Sequence, residues 1–264
     1  MDGALNLVGM LCRSSERVSG AARGTLALVE ALGERHGVEG RLIGSPPADV
    51  AIQDWPDDLR ESRGCLLEAG GQIDDALAAG NRPVLVIPDC SPSLTTLPAV
   101  VRHRPDATVL WLDAHADFNT PETTASKYLG GMCLAAACGL WDSGLVDDDA
   151  PRVDPARVVM CGVRDIDGPE VVLLETKGVV RLSRPGLLAD ALDGAEVFVH
   201  LDLDVLDPSI MASPFPAPGG LSDGGLHTLL TEVAASCNLI GCEIAGFHDP
   251  SLTELIATVV DPLL

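Results

Sequence analysis

Basic and aromatic side chains are scarce in this sequence. Only 17 Lys and Arg stand against 39 Asp and Glu, a formal net charge of -22. So acidic a surface repels phosphate backbones and anionic lipid heads, which makes nucleic acids and membrane surfaces poor partners. Aromatics make up 3% of the chain, so its core must rest on Val, Leu, Ile and Ala, and an apolar content of 47% is ample for one. No two of the eight cysteines form a C-x-x-C pair, and several lie in apolar runs such as Val158–Cys161. That pattern reads as buried reduced thiols rather than a disulfide framework. No apolar run approaches the roughly 20 residues of a membrane span. The first segment, MDGALNLVGMLC, lacks the basic flank of a secretory leader. A cytoplasmic location is the expectation. Internal repeats, low-complexity linkers and charge blocks are also missing, so residues 1–264 read as a single domain.

What is present is a regular alternation. Apolar, β-rich runs at Leu5–Cys12, Arg41–Gly44, Pro83–Pro88, Thr108–Asp113, Arg157–Val163, Val179–Leu182, Val197–Asp202 and Leu239–Ile244 are separated by helix-like stretches. These stretches are Val18–His36, Asp57–Ala79, Ser91–Arg102, Gly130–Trp141, Pro169–Lys177, Pro185–Leu192, Asp223–Ala235 and Ser251–Leu263. The strands are continuously apolar rather than alternating, as strands covered on both faces are. Repeated βα alternation predicts an α/β fold, either a doubly wound open sheet or a closed barrel. The Pro- and Gly-rich segment Pro208–Gly220 reads as a long loop. Ligands of such folds bind at the carboxyl ends of the strands, and carboxylates gather there.

Two motifs carry the chemistry. In Trp111–Thr120 (WLDAHADFNT), Asp113, His115 and Asp117 alternate, so in an extended segment all three share one face. Carboxylates with one imidazole suit a hard or borderline divalent ion such as Mn²⁺. Taken singly, each Asp reads equally well as a solvated or capping residue; three donors at period two straight after a buried strand read as ligands. In His200–Pro208 (HLDLDVLDP), Asp202 and Asp204 share a face. Two carboxylates so close repel unless a cation lies between them. Asp207, before Pro208, reads as a turn residue, and His200 as an ordinary core histidine.

Together these motifs resemble the DAHxDxN and DxDxxDP signatures of the arginase/agmatinase (ureohydrolase) superfamily. Gly162–Asp167 (GVRDID) is similar to that family's GxRDxD segment, and the likeness runs from about Pro83 to the C-terminus. The resemblance implies a three-layer α/β/α sandwich with a mostly parallel sheet. It also implies a pair of Mn²⁺ ions bridged by Asp113 and Asp202. His115 and Asp204 would complete one ion's shell and Asp117 the other's. Asn119 and Ser126 would contact a substrate α-carboxylate, and Asp167 an α-amino group. The implied partner is a small guanidino amino acid, and the resemblance allows a homo-oligomer.

Three positions depart from the family pattern. Cys90, in Ile87–Ser91 (IPDCS), stands where the family has a ligand histidine. A thiolate there favours Zn²⁺ or Fe²⁺ relative to Mn²⁺; the alternative is a buried free thiol. Gly130, in Leu129–Cys133, stands where arginases carry a histidine that aids proton transfer. Gly246 stands where the family has the Glu that holds the guanidinium, unless a local shift lets Glu243 serve. His248 is then a candidate substrate contact or proton carrier. These departures, with Asn119–Thr124 and Leu140–Gly144, resemble the branch of Nω-hydroxy-L-arginine amidinohydrolases of D-cycloserine biosynthesis. That branch releases hydroxyurea and L-ornithine. Other readings are a different ureohydrolase substrate (arginine, agmatine or another amidine), a Cys90 nucleophile working without metals, and a degenerate relative that binds metal without turnover.

Overall fold

The computed structural model describes residues 3–264; Met1 and Asp2 of the N-terminal segment lie outside them. Strands β1 (Leu5–Met10), β2 (Arg41–Ile43), β3 (Arg82–Ile87), β4 (Thr108–Leu112), β5 (Val158–Cys161), β6 (Val180–Leu182), β7 (Glu196–Asp202) and β8 (Asn238–Ala245) form one sheet. Its order is β2-β1-β3-β8-β7-β4-β5-β6, and every pairing is parallel. The sheet is open rather than closed into a barrel. Helices α1 (Ala21–His36), α2 (Trp55–Ala78), α3 (Ser93–His103), α4 (Cys133–Ala137), α5 (Gly168–Lys177), α6 (Leu188–Leu192), α7 (Asp223–Ser236) and α8 (Thr253–Val260) connect the strands.

The continuously apolar strands are explained by what they divide. Val109 and Trp111 of β4 pack into one core with Leu66 and Ile73 of α2, Leu97 and Val100 of α3, and Leu134 of α4. Their neighbours Leu110 and Leu112 pack into a second core with Leu28 and Leu32 of α1, Leu230 of α7 and Val260 of α8. Successive side chains point to opposite faces, and both faces are covered. Burying each such side chain contributes about 1.5–3 kcal/mol. This is the three-layer sandwich that the motifs implied.

Two expectations need correction. The stretch Gly130–Trp141 is not one helix. It holds a 3₁₀ turn (Gly130–Met132) and the short α4, which ends where Gly139 takes φ 75° and the amides of Gly139 and Leu140 fold back onto Ala136 and Ala135. Glycine adopts that left-handed turn without penalty and stops the helix. Cys12 and Cys65 are not free thiols: a disulfide joins the end of β1 to α2, with Cα atoms 6.2 Å apart. The other six cysteines are free, as expected. Among the described residues no helix is long and apolar enough to cross a membrane.

The topology positions the site. β3, β8, β7 and β4 are neighbours at the centre of the sheet although the chain visits them far apart. Their carboxyl ends bring Cys90, Gly246–His248, Asp202–Asp204 and Asp113–Asp117 to one edge, at the switches in strand order where such folds bind ligands.

Candidate metal centre

Cys90 follows β3, and its Sγ lies 2.9 Å from Asp202 Oδ2 and 3.9 Å from Asp113 Oδ2. Asp202 closes β7, and its Oδ1 accepts the amide of Asp204 at 2.7 Å, turning the chain so that both carboxylates face the same space. Asp204 Oδ1 accepts the amide of Ala114. Asp113 Oδ1 accepts the amide of His115 at 2.7 Å. His115 Nδ1 sits 3.4 Å from Asp113 Oδ1 and 3.2 Å from Asp204 Oδ2. The period-two geometry expected of Asp113, His115 and Asp117 does not extend through the motif. β4 stops at Leu112, and Asp117 takes φ 49°, a left-handed backbone that is strained for a non-glycine residue. Its carbonyl accepts the amides of Leu134 and Ala135, so α4 holds that turn in place.

Two sets of donor atoms emerge, each lying within 4.8 Å of one another: Cys90, Asp113 and His200, and Asp113, His115 and Asp204. They share Asp113, the geometry of a carboxylate set between two cation positions.

The electrostatics ask for those cations. Burial first, and then repulsion from neighbouring carboxylates, push the carboxyls of Asp113, Asp117 and Asp202 above their ordinary range. Burial and the charges of Asp202, Asp117 and Asp113 raise the Cys90 thiol in the same way. His115 shows the converse. Burial works against its charge, but hydrogen bonds to Asp113 and Asp204 outweigh burial and push its pKa to about 12. Burial also opposes ionisation of Asp204, yet its bonds to His115 hold it below the usual value. Among the described residues no Lys or Arg pairs with Asp113, Asp117, Asp202 or Asp204. Uncompensated buried carboxylates are costly. Carboxylate, imidazole and thiolate donors in this number fit divalent ions such as Mn²⁺, Zn²⁺ or Fe²⁺.

Two cavities adjoin at this edge. The first holds the six expected ligands Cys90, Asp113, His115, Asp117, Asp202 and Asp204, and His248 opens onto it with Nδ1 3.0 Å from the Gly246 carbonyl. The second is lined by Asn119, Ser126 and Asp167, three residues expected to meet the substrate, and Asn119 Nδ2 donates to Asp167 Oδ2 at 3.2 Å. His115, Asp117, Tyr128 and Phe215 line both, so the two are continuous.

Glu243 is not brought to either cavity. The local shift that would place it there does not occur: β8 turns it under the sheet edge, where it is fully buried and takes His200 Nδ1 at 2.8 Å and the hydroxyls of Ser93 and Thr96. Nor has Gly246 room for a side chain, since a Cβ there would lie 2.9 Å from Asp202 Oδ1 on a backbone of φ 81°. At Gly130 a Cβ would meet the Tyr128 ring at 2.6 Å, so the only tyrosine of the chain fills the space beside that glycine. Asp207 is the turn residue it read as, accepting from Ser209 and Gly219.

Several wall residues carried no sequence signal. Glu16, Arg17 and Tyr128 line the first cavity, Arg17 lying 5.1 Å over the Tyr128 ring. Asp89 anchors this wall by accepting the Ser14 hydroxyl and the amides of Ser15 and Ser91. Phe215 and Ser213 come from the long loop Pro208–Gly220, and Ser213 donates to Asp204 Oδ2 at 3.2 Å. The Pro- and Gly-rich composition of that loop marked its irregularity but not its direction.

Comparison with known proteins identifies the family and the fold. The model of the arginase family matches residues 4–257. The chain is 37% identical to an N(omega)-hydroxy-L-arginine amidinohydrolase of Streptomyces lavendulae, over 98% of this chain and 94% of that protein. It is 33% identical to an arginase of Bacillus caldovelox over 64% of this chain and 61% of the relative. Among solved structures, arginase from Bacillus cereus superposes with a TM-score of 0.85 at 24% identity, covering 99% of this chain and 98% of that one.

Proposed function

Because the chain belongs to the arginase family, we propose that residues 1–264 act as one metal-dependent amidinohydrolase domain that cleaves the C–N bond of a guanidine-type group. The substrate we assign is Nω-hydroxy-L-arginine, and the products are hydroxyurea and L-ornithine. The observation that carries the assignment is the shared-carboxylate donor set at the centre of the sheet, with which no Lys or Arg among the described residues forms an ion pair. The likeness over nearly the full length of the Streptomyces lavendulae enzyme supports the choice of substrate.

Asp113 and Asp202 would bridge two ions. Cys90 and Asp117 would complete one shell, and His115 and Asp204 the other. Mn²⁺ is the family expectation, and the thiolate of Cys90 favours Zn²⁺ or Fe²⁺. Such ions would supply Lewis acidity, making hydroxide available near neutral pH and stabilising charge that develops in the transition state. Asp117 orients the nucleophilic water and carries its proton towards the leaving nitrogen. His248, its Nδ1 tied to the Gly246 carbonyl, presents its other nitrogen as a second proton carrier. Asn119 and Ser126 receive the α-carboxylate and Asp167 the α-amino group, in the cavity beside the ligands. The nitrogen that departs is the side-chain amine of ornithine, while the hydroxylated nitrogen stays on the hydroxyurea carbon. With Gly130 and Tyr128 where an imidazole shuttle would stand, the proton for that amine falls to Asp117 and His248. A Cys90 nucleophile without metals is disfavoured, because burial and three carboxylates hold the thiol protonated.

The test is turnover of hydroxyarginine, arginine and agmatine by the Mn²⁺- or Zn²⁺-loaded protein, before and after chelation. We expect kcat/KM for hydroxyarginine to exceed that for arginine at least tenfold, and chelation to abolish both. Equal or better use of arginine overturns the substrate assignment. Full activity after exhaustive chelation overturns the metal reading.

A further inference from the structure

The motif HLDLDVLDP carries a histidine that the reading above leaves without a task. His200 is wholly buried on β7, two residues before Asp202 and on the same face of the strand. Its Nδ1 is 2.8 Å from Glu243 Oε1 and 3.2 Å from Ser93 Oγ. Glu243 is itself fixed by Ser93 and Thr96. A carboxylate at that distance accepts a hydrogen bond from Nδ1–H, which leaves the lone pair of the ring on Nε2. The ring lies flat on the Trp111 indole, with centroids 3.5 Å apart and planes at 5°, while the indole N–H donates to Asp113 Oδ2 at 3.1 Å. Nε2 is buried and has no hydrogen-bond partner. A wholly buried imidazole nitrogen without a partner is an expensive feature, rare unless something else occupies it.

The neighbourhood says what that is. A nitrogen of His200, the Cys90 thiol and an Asp113 carboxylate oxygen lie within 4.8 Å of one another. Neighbouring donors on one ion with bonds of about 2.0–2.3 Å lie about 2.8–3.8 Å apart across octahedral and tetrahedral shells, so small side-chain shifts bring His200 into a shell of five or six donors. A histidine oriented by a carboxylate behind it is the usual arrangement for an imidazole that binds a metal, since the carboxylate fixes the tautomer and raises the basicity of the free nitrogen. We propose that His200 Nε2 is a ligand, from beneath the sheet edge, to the ion held by Cys90 and Asp113. Glu243 is then the positioning residue behind it. The inference rests on the two-ion reading above but not on the identity of the substrate. A neutral imidazole beside the thiolate also inclines this position towards Zn²⁺ over Mn²⁺.

The full chain, uniformly labelled with ¹⁵N, is stripped of metal and then loaded with Zn²⁺, and imidazole nitrogens are followed by long-range ¹H–¹⁵N spectra. His200 is identified through its contact with the Trp111 indole, so no variant is required. We expect its Nε2 to move from the free lone-pair range to the metal-bound range together with one nitrogen of His115, while Nδ1 stays protonated on Glu243. In parallel, equilibrium dialysis of His200→Asn should show at least tenfold weaker binding of one of two Zn²⁺ ions, with the other unchanged. Two ions bound with only His115 shifting overturns this inference alone, as does unchanged affinity of His200→Asn for both ions. A chain that takes up no dication overturns the two-ion reading as well.

Discussion

At Gly246 the absence of a side chain is itself a constraint on the site. The backbone there is left-handed, and a methyl group would press within 2.9 Å of Asp202 Oδ1. Gly246→Ala should therefore cost about 1–3 kcal/mol of stability and displace Asp202, lowering metal content and kcat at least tenfold in a protein that still folds. Dialysis against Zn²⁺ or Mn²⁺ beside kinetics checks this, and wild-type values for both would defeat it. The same residue marks where sequence reading stops. Asp113, His115, Asp117, Asp202 and Asp204 drew notice because they cluster in two short motifs; in the fold His115 lies beside Asp113 and Asp204, and Asp202 accepts the amide of Asp204. Glu243 was not, because its partners Ser93, Thr96 and His200 come from two other elements and only the fold brings them under it. Tyr128 and Glu16 reach the cavity from loops whose sequences do not say where they point.

The strands were readable one by one, since each is an apolar run bounded by polar or turn residues, and all eight occur near their expected places. Their order was not readable. Nothing local tells β3 that its neighbour is β8, or pairs Cys12 with Cys65 across a separation of 53 residues. Elements are also held by ties that leave no pattern: Glu170 on α5 closes a capping box with Asp167, which is a local pattern, but nothing local ties it to Phe118. Its carboxylate accepts the amide of Phe118, next to Asp117, and that of Asp167, so it binds the ligand loop after β4 to the start of α5. Glu170→Ala would strand both amides, at about 1–3 kcal/mol, and raise KM by loosening Asp167 and Asn119. Burial pushes the Glu170 carboxyl from 4.5 to about 7. The folded state therefore holds an extra proton between those values, and this group's contribution to stability declines as pH rises through that window. In the metal-free protein the melting-temperature gap between wild type and Glu170→Ala should narrow as pH rises from about 4.5 to past about 7. A gap that stays constant across the range would rule out Glu170 as the titrating tie.

For the whole molecule, the acidic surplus of the chain and the demands of its centre meet in one linkage. Metal-free, Asp113, Asp117 and Asp202 have carboxyls raised by burial and mutual repulsion. Raised acids stabilise the fold only while protonated, so their contribution is lost as pH rises. His115, raised from 6.5 to about 12, follows the same trend: its contribution is complete below 6.5 and is lost progressively as pH rises from there towards about 12. Dications reverse the carboxylate trend. On the two-ion reading they would bind the deprotonated donors, displace the proton of His115 and of any protonated Asp or Cys90, and stabilise the fold by mass action. The melting temperature should rise on adding Zn²⁺ or Mn²⁺, and by more at pH 8 than at pH 6. Calorimetric titrations in two buffers of different ionisation enthalpy should register at least one proton released per chain. A stabilisation that is equal at both pH values, with no proton release, would mean that the ions sit elsewhere on the acidic surface and that the carboxylates at the strand tips are held by something other than metal.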